Sequence, residues 1–144
     1  MGSVTIARAL HVLAIVRWIG GVTMVTLVLL PGIMRHIPVE KRLALFEMIE
    51  GRFACQARIS TLIAGLTGFC MTRELGAWYR FTDPGFWWMH AMVAVWAAFT
   101  IVLSVAEPLF LHRWFHKRAS RDPEGTFQLV QRLHMLLLTL SLVT

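Results

Sequence analysis

Three of the six histidines in this chain lie inside long apolar stretches. They are His11, His90 and His134. An ionisable side chain at membrane depth is a functional candidate by default, because burying it in lipid is costly. At 1.5 Å of rise per residue, His11 lies about 9 Å and His90 about 6–9 Å from the same end of their helices. The spacing therefore predicts two imidazoles at one level on different helices.

Two facing imidazoles can ligate a haem iron from both sides, and helical bundles commonly build cofactor sites between their helices. We therefore predict a haem b site with His11 and His90 as the iron ligands. The chain has no Cys-x-x-Cys-His motif, so covalent attachment of the haem is not expected. His134, near the middle of the last apolar stretch, could be an alternative ligand for this haem or a second one, a proton carrier or a hydrogen-bonding core residue. For each histidine the alternative role is a hydrogen bond to a neighbouring helix.

Two arginines and one glutamate are also expected at membrane depth. Arg17 would lie near the midplane, where an unpaired guanidinium costs at least about 2.5–3.5 kcal/mol. A haem propionate would pair with its forked donors, and backbone carbonyls, Gln56 or water are the alternative partners. Arg58 and Glu107 each lie about 7–9 Å from the same end of their helices, so we predict that they pair.

Methionines introduce a second kind of metal chemistry. Met89 and Met92 flank His90, and thioether together with imidazole suits Cu(I). Methionine is more commonly flexible packing, and the remaining methionines show no repeated Met-x-x-Met spacing. Copper handling is therefore kept as an alternative to haem.

The composition decides which solvent surrounds these residues. Apolar residues make up 57% of the 144 and charged residues 15%, whereas soluble domains average about 45–50% and about 25%. Such a balance excludes a secreted disulfide scaffold, a disordered chain and an ordinary cytosolic enzyme. The net charge is +6, and the Lys and Arg residues fall mainly in two short connections between apolar stretches, so a nucleic-acid partner is not expected.

Four apolar stretches are long enough to cross a bilayer as helices. We place the spans at residues 5–31, 53–72, 86–112 and 123–144, with Asp122 as N-cap and Pro123 at the first helical position of the last. Residues 35–52 have apolar positions at helical spacing among mixed charges, which predicts an amphipathic helix at the headgroups that runs into the second span. The chain is thus predicted to be all-α, a single integral membrane domain over residues 1–144 folded as a four-helix up-down bundle.

The basic residues predict the orientation of this bundle. The first and third connections hold eight Lys and Arg, four in each. Positive residues mark the cytoplasmic side, so both of these connections and the amphipathic helix are expected there and both termini outside. The expected location is the bacterial cytoplasmic membrane. The eight residues are Arg35, Lys41, Arg42, Arg52, Arg113, Lys117, Arg118 and Arg121.

Short motifs in the apolar stretches carry a family resemblance. The first stretch contains LHVLA at residues 10–14, WIGG at 18–21 and a Leu-Pro pair at 30–31, and the third opens with FWWMH at 86–90. The second stretch is preceded by FEM at 46–48. These motifs resemble the copper-resistance protein D family and the related four-helix membrane protoporphyrinogen oxidases, which bind haem b. The resemblance covers most of the first three helices and is weaker around residues 132–134.

The resemblance implies a haem ligand at His11. In the oxidase branch, a lysine two positions after the third-helix histidine matters for haem binding, and this chain has Met92 there. The resemblance therefore leaves His90 or Met92 as the opposing ligand.

The function favoured by the sequence is electron transfer by a haem b membrane protein near the outer face, between a quinone pool and a membrane or periplasmic partner. Three alternatives stay open: copper transport or resistance, a cofactor-free accessory subunit of a larger membrane complex, and porphyrinogen oxidation. An enzyme of this kind would be a quinone- or porphyrinogen-linked membrane oxidoreductase. Expected partners are the lipid bilayer, a quinone, and either a larger redox complex or further copies of the chain.

Overall fold

The computed structural model describes residues 2–144 as an all-helical fold. Four helices are long and apolar enough to cross a membrane: α1 (Gly2–His36), α2 (Val39–Glu74), α3 (Pro84–Ala119) and α4 (Pro123–Val143). A short 3-10 helix, Ala77–Phe81, lies between α2 and α3. No β-strand occurs within residues 2–144. The prediction of four membrane-compatible helices is confirmed, and the chain has the fold of a multi-pass membrane protein.

Two of the long helices change their hydrogen-bond register along their length. Helix α1 is α-helical over Gly2–Met24, π-helical over Val25–Leu29 and α-helical again over Leu30–His36. Helix α3 begins as a 3-10 turn, Pro84–Phe86, continues as α-helix Trp87–Ile101 and π-helix Val102–Leu111, and ends as α-helix His112–Ala119. Both helices therefore continue beyond the predicted span ends, to residue 36 instead of 31 and to residue 119 instead of 112.

The π segments explain why neither helix stops at its proline. Pro31 and Pro108 lack an N–H, and their rings clash with a carbonyl of the preceding turn in a regular α-helix. A π turn widens the helix locally and relieves that crowding. The Leu30 N–H accordingly donates to the Val25 carbonyl, five residues back, and the His112 N–H donates to the Glu107 carbonyl.

The connections between helices are closed by local hydrogen bonds. Arg42 donates from Nε to the Ile37 carbonyl and from Nη2 to the Met34 carbonyl, both at 2.8 Å, which satisfies carbonyls at the end of α1. The predicted start of α4 is confirmed, because Oδ1 of Asp122 accepts from the Gly125 N–H at 2.9 Å. The amphipathic stretch and the second span form one uninterrupted helix, α2, as expected.

Neighbouring helices contact each other through small residues. Along α1, His11 meets Ala64 of α2 and Gly21 meets Phe53, so the two helices run in opposite directions. Gly65 of α2 lies against the Trp96 indole of α3, and a Cβ at Gly65 would lie 2.8 Å from Cε2 of that ring. Glycine therefore allows the close approach of α2 and α3 at this level.

The core lies between the four helices in two clusters. One contains Trp18 of α1 edge-on to Phe99 of α3, with ring centroids 4.8 Å apart. The other contains the fully buried Leu30 with Phe46 and Phe127, whose centroids lie 5.7 Å apart. The first cluster lies near the middle of the helices, and the second lies towards the α1–α2 and α3–α4 connections.

One buried carbonyl depends on a side chain from another helix. In the π register the Thr26 carbonyl would accept from residue 31, and Pro31 has no N–H to donate. The Leu30 N–H is engaged by Val25. The Gln131 amide of α4 donates to the Thr26 carbonyl instead, from Nε2 at 2.8 Å. This bond fixes α4 against α1.

We expect Gln131→Met to destabilise the fold by about 1–2 kcal/mol, because it leaves the buried Thr26 carbonyl without a donor. The measurement is the unfolding midpoint in detergent, with Gln128→Met, an exposed position on the same helix, as the control. In a Pro31→Ala background the same substitution should cost less, since residue 31 then supplies an N–H. Equal losses in the two backgrounds would contradict this explanation.

Candidate functional site

A cavity of about 620 Å³ lies between α1, α2 and α3, at the end of the fold that holds the chain termini. We call it the terminal cavity. Its volume falls in the range of ligand pockets, about 300–1,000 Å³. The walls are mainly apolar, with a small set of polar and sulfur-bearing side chains. The lining includes Arg8, His11, Trp18, Met71, Arg80, Met89, Met92 and Trp96.

His11 is held in this wall by α2. Its Nδ1 lies 2.9 Å from the Ala64 carbonyl and 3.0 Å from Oγ1 of Thr67. A carbonyl oxygen can only accept, so Nδ1 donates the hydrogen and Nε2 keeps its lone pair. Histidines that bind a metal typically donate their other ring N–H to a carbonyl or carboxylate in this way. The His11 ring is therefore oriented and in the tautomer that a metal ligand requires.

Two small features of α2 shape the position of the His11 ring. The Thr67 hydroxyl donates to the Ile63 carbonyl at 2.6 Å, which leaves its oxygen free to accept from His11. At Gly68 a Cβ would lie 3.3 Å from Cε1 of His11. The absence of a side chain at Gly68 therefore gives the ring its space.

His90 does not line the terminal cavity with His11. Its side chain is exposed and lies edge-on to Phe81, with ring centroids 5.5 Å apart. Met92 lines the cavity instead. Two positions along an α-helix correspond to a rotation of about 200°, so His90 and Met92 face nearly opposite sides of α3. The structure thus brings His11 together with the methionine two positions further along.

Arg17 also lies outside the terminal cavity, with an exposed side chain on α1. The cations that line the cavity are Arg8 and Arg80. The Arg80 guanidinium lies over the Phe86 ring, 5.4 Å from its centroid. Neither residue was predicted from the sequence. Helical spacing could have indicated Arg8, because it precedes His11 by three positions and lies on the same face of α1, whereas Arg17 does not.

His134 lies in a separate, smaller cavity of about 150 Å³. We call this the loop-side cavity, because it lies towards the α1–α2 and α3–α4 connections. Nδ1 of His134 lies 2.9 Å from the Val130 carbonyl, one turn back on α4. Its neighbours in the lining include Glu50 and Glu107. The structure therefore separates His134 from His11.

The predicted pair of Arg58 and Glu107 is confirmed. Nη2 of Arg58 lies 3.1 Å from Oε2 of Glu107, and Nε donates to the Leu103 carbonyl at 2.7 Å. In the π register the Leu103 carbonyl would accept from residue 108, which is a proline. Arg58 therefore neutralises a carboxylate and also supplies the hydrogen bond that Pro108 cannot.

Three methionines place soft donors beside His11. Met71 lies on α2, and Met89 and Met92 lie on α3 within the terminal cavity lining. Met89 is buried and Met92 is half-buried. An imidazole and thioethers around one apolar cavity are compatible with a haem iron or with Cu(I). Comparisons with protein-family models, with curated proteins and with solved structures find no match to this chain.

Proposed function

We propose that this protein binds haem b in the terminal cavity and transfers electrons within the membrane. The observation that carries the proposal is the hydrogen bond from Nδ1 of His11 to the Ala64 carbonyl, which leaves Nε2 as the free ligand atom of a cavity-lining ring. The cavity of about 620 Å³ that this ring lines leaves room for a bound group beside it.

The residues present fit this group. The cavity is mainly apolar, and its volume of about 620 Å³ lies in the range of ligand and cofactor pockets. The indole N–H of Trp18, a further wall residue, is buried and has no hydrogen-bond partner within residues 2–144. Bound haem would supply a one-electron carrier whose potential depends on its axial ligands and burial.

Each residue has a distinct role in this proposal. His11 would be one ligand of the haem iron, and Ala64 and Thr67 hold its ring. Met92 would be the second ligand, because it lines the cavity whereas His90 is exposed. A Met/His pair raises the potential of haem relative to two histidines.

Arg8 and Arg80 supply positive charge at the same cavity. In the proposal their guanidinium groups pair with the haem propionates, because planar forked donors suit carboxylates. This role was expected of Arg17, whose side chain is exposed on α1. Exposure of that guanidinium in a membrane-compatible helix fits a contact with a further subunit of a redox complex or a second copy of the chain.

The proposed setting is the bacterial cytoplasmic membrane, crossed by an up-down bundle with both termini outside. The basic connections α1–α2 and α3–α4 support this orientation. The terminal cavity then opens near the outer face. Its electron donor would be membrane-soluble, such as a quinone, and its acceptor a partner at that face.

Copper handling is a second candidate for the same cavity, supported by its donor set. His11, Met71, Met89 and Met92 all line the cavity, and thioether with imidazole suits Cu(I). This candidate requires that the purified protein bind Cu(I) with loss of binding on substitution of the methionines. It also predicts that the purified protein shows no visible absorption bands.

We expect the protein, purified after adequate haem supply, to show b-type bands in a reduced-minus-oxidised spectrum, and His11→Ala to abolish them. Met92→Leu should remove the second ligand and convert the iron to high spin, whereas Met92→His should keep it low-spin and lower its potential. His36→Ala, an exposed histidine outside both cavity linings, is the control.

Other outcomes of this experiment distinguish His90 from Met92 as the ligand, and haem from copper as the bound group. Loss of the bands in His90→Ala, with Met92→Leu unchanged, would assign His90 as the ligand. Absence of bands from the haem-supplied wild type would refute the proposal, and Cu(I) titration of the same sample would then test the second candidate.

Removal of a cation beside the propionates should lower the haem midpoint potential, because positive charge disfavours the oxidised, more positive iron. We expect Arg8→Gln and Arg80→Gln each to lower it by about 59 mV or less, the one-electron equivalent of a tenfold change. Redox titration measures this, with Arg73→Gln, exposed at the same end, as the control. A shift in Arg17→Gln alone would return the propionate role to Arg17.

A further inference from the structure

At the loop end of the fold, three metal-ligating side chains from two helices come together. Glu47 lies on α2, and His112 and His116 lie one turn apart on the last segment of α3. One ligand atom from each residue lies within 4.8 Å of the others. We call these residues the loop-side triad.

The arrangement of the triad follows from helix geometry. Residues four apart on a helix project from the same face, so His112 and His116 present two imidazoles side by side. Their ring centroids lie 5.7 Å apart, with the planes at 85°. Glu47 reaches the pair from α2, and its Oε1 lies 3.3 Å from Nε2 of His116. Two imidazole nitrogens from α3 and one carboxylate from α2 thus lie close together.

This donor set is suited to a first-row divalent metal. Two histidines and one carboxylate form a common three-ligand set of zinc sites that keep one position for water. Ligands around tetrahedral zinc lie about 3.3–3.5 Å apart, given Zn–N and Zn–O distances of about 2.0–2.2 Å. The Glu47–His116 distance already has this value, and the ligand atom of His112 lies within 4.8 Å of the other two. The side chain of His112 is exposed, which leaves it space to move towards them.

The surroundings of the triad add to the argument. Glu47 and His112 both line the loop-side cavity, where Glu50 and Glu107 bring further carboxylates. Glu107 is already paired with Arg58, so the triad itself would hold the cation at a fold end that is otherwise rich in Lys and Arg. A site open to the aqueous side of the membrane surface also has an entry path for a hydrated ion, because His112 and His116 are exposed.

We propose that Glu47, His112 and His116 bind a divalent transition-metal ion of the Zn²⁺ class, which joins the start of α2 to the end of α3. This proposal is independent of the haem proposal, since the two sites share none of these residues. Binding would stabilise the folded state by mass action, because the unfolded chain does not hold the three ligands together.

The test is a Zn²⁺ titration of the full chain, purified in detergent, freed of its affinity tag and treated with a chelator. A competing chromophoric chelator reports one equivalent of tightly bound Zn²⁺ per chain. Glu47→Gln, His112→Ala and His116→Ala should each weaken binding at least about tenfold, since each removes one of three ligands. His36→Ala, an exposed histidine at the same end outside the triad, should bind as the wild type does.

A second readout separates a built site from adventitious histidine binding. Zn²⁺ should raise the unfolding temperature of the wild type with saturation, and this rise should be lost in Glu47→Gln, a substitution of nearly equal size. No saturable binding by the wild type would overturn the proposal. Wild-type affinity in all three triad variants would overturn it as well. If an alanine variant fails to fold, Glu47→Gln decides the outcome.

Discussion

Every backbone carbonyl inside a membrane span needs a donor, and two prolines in this chain each remove one. Pro31 and Pro108 both lie in or just after π segments, and in each case the carbonyl five residues earlier loses its N–H partner. Gln131 donates to one and Arg58 to the other. Because no water reaches the interior of a bilayer, a carbonyl left unpaired there destabilises the fold, by about 1–2 kcal/mol for the Thr26 carbonyl. The two prolines therefore determine which polar side chains of neighbouring helices must lie at these levels.

This constraint also determines where the functional spaces lie. Hydrogen bonds from Gln131 and Arg58 connect two pairs of helices. Gln131 joins α4 to α1, and Arg58 joins α2 to α3. The aromatic contact of Trp18 with Phe99 fills the remaining centre. One cavity lies towards each end of the fold, and each end has its own set of ligating groups. The terminal cavity holds His11 with methionines, and the loop end holds carboxylates with histidines. One fold thus separates soft donors from hard ones.

The sequence predicts the features that depend on one dimension, namely hydropathy along the chain and depth in the membrane. Four helices and the pair of Arg58 with Glu107 follow from these alone. The direction in which a side chain faces cannot be predicted from hydropathy and depth. It depends on which helix lies alongside and on changes of helical register such as the π segments. Equal depth therefore suggested His90 as the partner of His11, whereas the cavity wall presents Met92. The loop-side triad could not be predicted from the sequence, because Glu47 is distant along the chain from the two histidines that it contacts.

Trp18 lines both the terminal and the loop-side cavity. Its side chain is therefore part of the wall of both spaces, near the centre of the fold. The ring packs against Phe99 and has an indole N–H without a partner within residues 2–144. A smaller residue in place of Trp18 would alter the walls of both cavities at once, so the two sites, one at each end of the fold, depend on one structural residue between them.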